Sequence, residues 1–395
     1  MFTSSIFAQL LKLVPQRIFD VAVERHQSDR WRKSFRTWDH LVALLAVQFS
    51  GAASLRDVET VINSHSNHLY HLKCKQVRRS TLSEANQTRH HEVFRDIALS
   101  MLSQAKRDAG ELKTLISILD ASVISLSGRG HDWAIETRTR NKTQGLKLHV
   151  QYAPGADLVE FVKITGNNIC DIAMGREIQI EEGRIYVFDR GYCDYNWWHD
   201  IAKAGSRFVT RLKTNAAFAT TEERQVPHSD DSTVIRDRVI KLTNASPRAG
   251  KKNTLAGEPL RLVEITHPKD KDKPFWIVSN DLDATADQIA AWYKQRWAIE
   301  LMFKWLKQNL KIKRFIGESH NAILIQIYVA IIAYMLLRAF HKLGVNSYLE
   351  RLKDVLVYVR NNLFERPQTF KLQRLKHQER LRSQPELWSS WCENA

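Results

Sequence analysis

WYKQRWAIELMFKWLKQNLKIKR, residues Trp292 to Arg314, holds neither Pro nor Gly and is rich in Leu, Ile, Ala, Lys and Gln. That composition predicts one long helix. At roughly 100° per residue, Trp292, Ile299, Met302, Phe303, Leu306 and Leu310 fall on one face. Tyr293, Arg296, Glu300, Lys304, Lys307 and Lys311 fall on a neighbouring stripe. The segment carries seven Lys or Arg and one acid, Glu300. A solvated helix usually mixes acids and bases to form i,i+4 pairs. A nearly all-cationic stripe suits a polyanion laid along the helix. The lone carboxylate suits something a cation cannot do, such as holding a metal ion. An ordinary amphipathic basic helix would show the same periodicity.

Moving outward, two β-type runs also carry acids. LISILDASVISL (Leu115–Leu126) has Asp120 near its middle, and IYVFDRGY (Ile185–Tyr192) places Asp189 at the end of its apolar part. GLKLHVQY (Gly145–Tyr152) and Leu158–Thr165 also read as strands, and RFVTRLK (Arg207–Lys213) follows a helix bearing Trp197 and Trp198. Strands interleaved with helices predict an α/β core. Residues 214–274 break this rhythm. Short β-like pieces, Ser232–Leu242 and Leu260–Thr266, lie between polar or basic loops, as in a β-rich insertion. Phe275–Asn280 returns to a strand, and a short helix from Ala284 leads into the central helix.

Acids inside apolar strands are costly unless paired or bound to metal. If the two strands are neighbours and the helix packs across them, Asp120, Asp189 and Glu300 converge. Hard oxygen ligands select Mg²⁺, with Mn²⁺ as a substitute. Two such ions about 4 Å apart can activate a water or a 3′-hydroxyl and stabilise a leaving oxygen in phosphodiester transfer. Two unrelated strand-end acids remain the alternative at this point.

Composition narrows the partner. The chain has 395 residues, room for two or three domains, and its net charge is +16 with a pI near 9.7. That excess points to nucleic acid or another anionic surface. The four cysteines, Cys74, Cys170, Cys193 and Cys392, form no CxxC pair. This argues against a zinc knuckle or disulfide framework and fits a reducing cytosol. The N-terminus lacks the basic lead and cleavage site of a signal peptide. AILIQIYVAIIAYMLLRAF (Ala322–Phe340) is nearly long enough to span a bilayer, but Gln326 and Arg338 interrupt it. It reads as a helix buried between other layers, with no membrane expected.

Residues 1–108 read as all-helical, from the helical spacing in Ile6–Val14, His40–Phe49 and Val93–Leu102. Ser54 is a plausible N-cap with Asp57 three residues on. In VRRSTLSEANQTR (Val77–Arg89), Thr81 and Glu84 have capping-box spacing, so a helix is predicted to start near residue 81. Arg78 and Arg79 before it, with Ser83, Asn86, Gln87 and Arg89 on it, would suit helix-turn-helix-like DNA contact. An ordinary capped surface helix would look the same. Residues 109–345 are expected to form the catalytic domain, and 346–395 a basic C-terminal extension with a patch at Lys371–Arg382.

The spacing Tyr293, two residues, Arg296, three residues, Glu300, six residues, Lys307 resembles the Tyr-Arg-Glu-Lys signature of the insertion-sequence-four family of bacterial transposases. Asp189-Arg190-Gly191-Tyr192 is similar to that family's second-acid motif. The first acid matches less well, because relatives often follow it with Gly or Ser and then Thr where this chain has Ala121-Ser122. The resemblance covers nearly the whole chain. It implies a ribonuclease-H-like core, a mixed sheet flanked by helices, with Asp120, Asp189 and Glu300 as the catalytic, metal-binding triad. It also implies a β-insertion before the glutamate helix and an all-α domain ahead of the core.

The function so implied is cut-and-paste DNA transposition through a hairpin intermediate, in the bacterial cytoplasm at the nucleoid. Expected partners are double-stranded DNA, both terminal inverted repeats and target, and a second copy of the chain. Arg296 and Lys307 are expected to hold phosphates, and Tyr293 to position the backbone near the cut. Lys304, Lys311, Arg190, Arg211 and Lys213 are expected to add DNA contacts, as are Arg78, Arg79, Asn86 and Arg89. A ribonuclease-H-like nuclease without transposition, or a catalytically inactive DNA-binding relative, are the alternatives.

Overall fold

The computed structural model describes residues 4–109, 115–126, 131–134, 144–226, 232–244, 252–266, 275–312, 314–343 and 349–366. They pack as two compact units, Leu102–Gln308 and a second made of Met1–Met101 with Asn309–Ala395. The basic patch at 371–382 lies outside the described residues.

The first unit is built on one nine-stranded sheet. Its strands are β1 (Ile116–Ser125), β2 (Gly145–Ala153), β3 (Leu158–Gly166), β4 (Ile185–Phe188), β5 (Arg207–Arg211), β6 (Phe218–Arg224), β7 (Val234–Leu242), β8 (Pro259–Ile265) and β9 (Phe275–Ser279). The spatial order is β3-β2-β1-β4-β5-β9-β8-β7-β6. β1, β4 and β5 run parallel, and every other pairing is antiparallel. All of β4 is buried, as a central parallel strand must be when both faces are covered. On one face Leu119, Phe188, Tyr192, Trp197, Trp198 and Phe208 form an aromatic core. The Trp198 indole N–H is not lost there, since it donates to the Tyr192 carbonyl at 3.1 Å.

The segment between β5 and β9 is β-rich, and its three strands prolong the same sheet. β6 was not anticipated. It is an edge strand, mostly exposed, whose Glu222, Glu223 and Arg224 carry no apolar alternation to betray it. β7 and β8 are locked by a buried pair. Arg261 Nε and Nη2 each donate to Asp237 at 2.5 Å, while Nη1 reaches the carbonyls of Leu282 and Ala284. Removing one partner strands the other charge in the core. Asp237→Ala is therefore expected to lower stability by about 3 kcal/mol or more in denaturant unfolding. The double change Asp237→Leu with Arg261→Met should cost far less. Equal losses would show that the pair is not what holds these strands.

The second unit is helical among its described residues. Two of its helices, Thr37–Ser50 and His320–Lys342, pack on each other and are buried nearly all round. His320–Lys342 is long and apolar enough to cross a membrane, but 89% of its apolar window is buried inside the protein. Its grouping with the N-terminal helices departs from the expected boundary at residue 345. The physical cause is that two all-round apolar helices bury most by packing together, and such pairing leaves no mark in local sequence. Ser54 caps Leu55–Asn63 in a capping box with Asp57. The helix expected near residue 81 runs Arg79–Thr88, and Arg78 at its N-cap makes no side-chain cap. Thr81 is thus inside the helix rather than its cap.

His40, on Thr37–Ser50, is wholly buried, and its Nε2 meets Asn86 Oδ1 at 2.8 Å. Burial, then the Arg89 charge, pulls its pKa from 6.5 down to about 3. In the unfolded chain His40 binds a proton below about pH 6.5, while the folded site does not. The stability it contributes is complete above that pH and is lost as pH falls toward 3, at about 1.4 kcal/mol per pH unit. The melting temperature of the wild type should therefore drop more between pH 7.5 and 5 than that of His40→Gln; parallel drops would refute this.

Candidate active site

Register brings the first two acids together. β1 and β4 are parallel neighbours with Leu119 opposite Phe188, so Asp120 and Asp189 are the next residues along each strand. Asp189 leaves the ladder and turns, its Oδ1 accepting from the Gly191 N–H at 2.7 Å. The third acid comes from the helix Trp297–Asn309. Ile299, Met302, Phe303 and Leu306 bury one side of that helix, which leaves Glu300 at the rim of the buried face.

The long helix expected over 292–314 is two helices, Ala286–Lys294 and Trp297–Asn309. Between them the backbone tightens. Arg296 N–H bonds the Tyr293 carbonyl, and Ala298 N–H bonds that of Gln295. These are i→i−3 contacts, a turn narrower than an α-helix, and no Pro or Gly marks the place. The helix N-cap Thr285 forms a capping box with Gln288.

The tight turn aims Arg296. Its Nη2 pairs with Glu300 Oε1 at 2.6 Å, and its Nη1 stands 3.8 Å from Asp120 Oδ2. One guanidinium thus joins the first and third acids. Burial raises the Asp120 carboxyl to about 7; the Ala121 N–H opposes this, Asp189 adds to it, Arg296 opposes it and Glu300 adds to it. The three carboxylates therefore share one electrostatic neighbourhood. Among the described residues, no three His, Cys, Asp or Glu side chains stand close enough to enclose an ion. The donor chemistry nonetheless fits a hard divalent cation. Three carboxylates with one guanidinium between two of them leave negative charge that a cation would neutralise.

Tyr293 is buried, with Phe275 edge-on at 5.9 Å and the Arg296 guanidinium 5.7 Å from its ring. Lys307 Nζ donates to the Val123 carbonyl at 2.7 Å, tying the Glu300 helix to the Asp120 strand. Lys304 and Arg190 are exposed. Arg211 lies with its guanidinium 4.6 Å from the Phe275 ring. Lys213 lines a cavity of about 380 Å³ beside Cys193, Tyr195, Asn196 and Asn253.

Three expected DNA contacts are placed otherwise. Lys311 lies beyond the end of the helix at Asn309, so it is not on the stripe. It belongs to the helical unit, where its backbone N–H bonds Gln48. Asn86 is buried against His40, and Asn321 donates to its carbonyl. Arg89 is buried and donates to the carbonyls of Phe35 and Arg36. Both side chains hold the fold together and are closed to DNA. Arg78 and Arg79 are exposed.

One acid went unnoticed in the sequence. Asp171 takes Lys147 Nζ at 3.2 Å and lies 3.8 Å from His149 Nδ1. It opens the short helix Asp171–Gly175 after β3, where no spacing singles it out. A Cβ on Gly191 would lie 2.8 Å from Asp171 Oδ2 and 2.9 Å from Asp189 Oδ1. Gly191→Ala is therefore expected to push the Asp189 carboxylate aside and cut strand cleavage by about 10²-fold with the melting temperature little changed. Unaltered cleavage would mean that the turn gives way freely.

Residues 111–336 match the family described as Transposase DDE domain, and residues 3–74 match a domain of unknown function. A Sinorhizobium fredii protein named as a transposase is 36% identical over 289 residues, 72% of this chain and 77% of that protein. A Synechocystis protein named for the insertion sequence element IS4SA is 30% identical, over 66% of this chain and 70% of its own length. The fold is similar to that of the piggyBac transposase in its synaptic complex with hairpin DNA. That likeness has a TM-score of 0.50 at 12% identity and covers 100% of this chain and 84% of the other. With that family match over more than half of its length and these relatives, the chain belongs to the Transposase DDE domain family, as a bacterial insertion-sequence DNA transposase that depends on a divalent metal.

Proposed function

We propose that this transposase is of the insertion-sequence-four type and that Asp120, Asp189 and Glu300 are its catalytic carboxylates. They would hold Mg²⁺, with Mn²⁺ as a substitute, as two ions. When bound, these supply Lewis acidity and a lowered pKa for the attacking water or hydroxyl. The observation that carries the reading is the Arg296 guanidinium set between Asp120 and Glu300, with the Asp120 carboxyl also raised by Asp189. Arg296 and the exposed Lys304 would receive DNA phosphates, with Arg190 beside Asp189 and Lys213 at the neighbouring cavity. Lys307 would place the Glu300 helix against β1, and Tyr293 would form the floor beneath Arg296. The sheet through β5 is the ribonuclease-H-like core, and β6–β8 are an insertion into it.

In this reading, hydrolysis nicks one strand at the element end. The freed 3′-hydroxyl attacks a phosphodiester of the opposite strand and expels the 3′-oxygen of the flanking DNA, which leaves a hairpin on the element end; water reopens that hairpin before the end is joined to target DNA. The N-terminal helical region recognises the terminal inverted repeats. Two copies of the chain pair the two ends, and the protein works in the cytoplasm at the nucleoid. The test is a nicking assay on labelled duplexes taken from the DNA flanking the gene. Nicking at the repeat boundary with Mg²⁺, its loss with chelator, and a hairpin product on denaturing gels are expected. Chelator-resistant cutting would sink the mechanism, and cutting without any joined product would favour a plain nuclease.

A further inference from the structure

Gly191 closes the turn that carries Asp189, and two acids crowd it. A Cβ there would meet Asp171 Oδ2 at 2.8 Å and Asp189 Oδ1 at 2.9 Å. The two carboxylates reach this one glycine from different elements. Asp189 follows the end of β4, and Asp171 opens the helix Asp171–Gly175, which packs on the turn Arg190–Tyr192 and on β1. A carboxylate at the tip of a side chain normally swings aside at little cost. Asp171 is not at liberty to do so. Its Oδ1 accepts from Lys147 Nζ at 3.2 Å, and the same Nζ donates to the Ile169 carbonyl at 2.9 Å. One ammonium thus pins both the carboxylate and the backbone leading into its helix. Beside it, His149 Nδ1 is buried without a hydrogen-bond partner, 3.8 Å from the same Oδ1, while Nε2 meets Thr165 Oγ1 at 2.9 Å. Burial holds the His149 imidazole down to about 4, so at neutral pH it is uncharged and Lys147 balances Asp171.

Lys147 and His149 are borne by β2, the antiparallel partner of the strand that holds Asp120. They stand opposite Val123 and Ala121, and Asp120 stands opposite Val150. The Val123 carbonyl is the one that takes Lys307 from the Glu300 helix. The β1–β2 pair therefore carries the first acid, seats the helix of the third and, through Lys147, fixes the acid that backs the second.

We propose that Asp171 is a positioning residue for Asp189. Its Oδ2 walls the turn at Gly191, which keeps Asp189 Oδ1 on the Gly191 N–H and leaves the other carboxylate oxygen for a cation. Lys147 makes the wall stiff. Groups that support a metal ligand without touching the metal set its affinity by about 10- to 100-fold. A mere staple, with the Lys147–Asp171 pair only fastening a helix to β2, would act on stability and leave metal affinity alone. The proposal rests on the reading that Asp189 holds a cation.

The experiment is calorimetry of Mn²⁺ binding to the full-length protein, with melting temperatures taken in the absence of metal. Asp171→Ala removes the wall and is expected to weaken Mn²⁺ binding about tenfold. Asp171→Asn keeps the shape and should recover most of that loss. Gly191→Ala should also weaken binding about tenfold in the wild type, yet add little in the Asp171→Ala background, because both changes act on one turn. Unchanged Mn²⁺ affinity in Asp171→Ala, with only the melting temperature lowered, overturns the proposal in favour of a staple. Losses that multiply in the double variant overturn it too, as does an Asp171→Asn no better than Asp171→Ala. If Asp171→Ala does not fold, Lys147→Met carries the test. Asp171 is then present but loosened, so Gly191→Ala should cost less Mn²⁺ affinity there than in the wild type, and an equal cost overturns the proposal. Asp189→Asn tells the two readings apart. If it binds Mn²⁺ as the wild type does, the assignment of Asp189 itself has failed. If it loses Mn²⁺ while Asp171→Ala does not, only the role of Asp171 has.

Discussion

Asp120→Asn, Asp189→Asn and Glu300→Gln each bring strand nicking and strand transfer down together, by about 10³-fold or more, the scale seen when one member of a catalytic unit is lost. Each change preserves size and removes the charge that would hold a cation. The arrangement explains why no single acid is spared. Asp120 and Asp189 each directly follow the last register pair, Leu119 with Phe188, of two parallel neighbours, and Glu300 is linked to Asp120 through one guanidinium. The folded state should not suffer. Asp120 is held partly against its own charge, since burial and the neighbouring acids raise its carboxyl. An amide there relieves repulsion, so Asp120→Asn is expected to melt at or above the wild-type temperature. Duplex binding in anisotropy should be retained in all three variants. Wild-type nicking in any one of them removes that residue from the site, and a collapse of the melting temperature would make the acid structural instead.

The acids were legible because each breaks a local rule. Asp120 interrupts an apolar run, Asp189 ends one, and Glu300 stands alone among cations. Once the strands were read from their alternation, their pairing was left to the fold, and the parallel register of β1 with β4 supplied it. What escaped was whatever depends on partners distant in sequence. Asp171 is remote from Asp189 along the chain, yet both oxygens close on the position where Gly191 lacks a side chain. Asn86 and Arg89 carry DNA-binding chemistry by type, but His40 and the carbonyls of Phe35 and Arg36 claim them. Periodicity says that a helix exists and which face is apolar, not which helix covers it. Hence the sequence marks His320–Lys342 as buried but not its packing on Thr37–Ser50. The narrowed turn at Gln295–Arg296 left no residue signal at all.

Arg296 is where sequence and geometry diverge most usefully. On a wheel it is one more cation of a DNA-facing stripe. In the fold it is half-buried, forked between Glu300 at 2.6 Å and Asp120 at 3.8 Å, above the Tyr293 ring. It therefore has two possible duties, neutralising the acids and gripping a phosphate, which one substitution pair separates. Arg296→Ala should lower nicking by about 10²-fold, because both duties are lost. Arg296→Lys should recover little of this, since an ammonium is a compact point charge without the planar fork that grips a phosphate bidentately. Binding of Mn²⁺ to the protein alone, followed by calorimetry, distinguishes the duties. Removing a cation that competes for Asp120 and Glu300 should leave Mn²⁺ affinity equal or tighter, even as nicking falls. If Mn²⁺ affinity falls in step with nicking, Arg296 organises the acids and its phosphate role is unnecessary. Full nicking in Arg296→Ala would reduce the whole stripe to a solvated face and leave Lys307, bonded to the Val123 carbonyl, as the contact that seats the Glu300 helix.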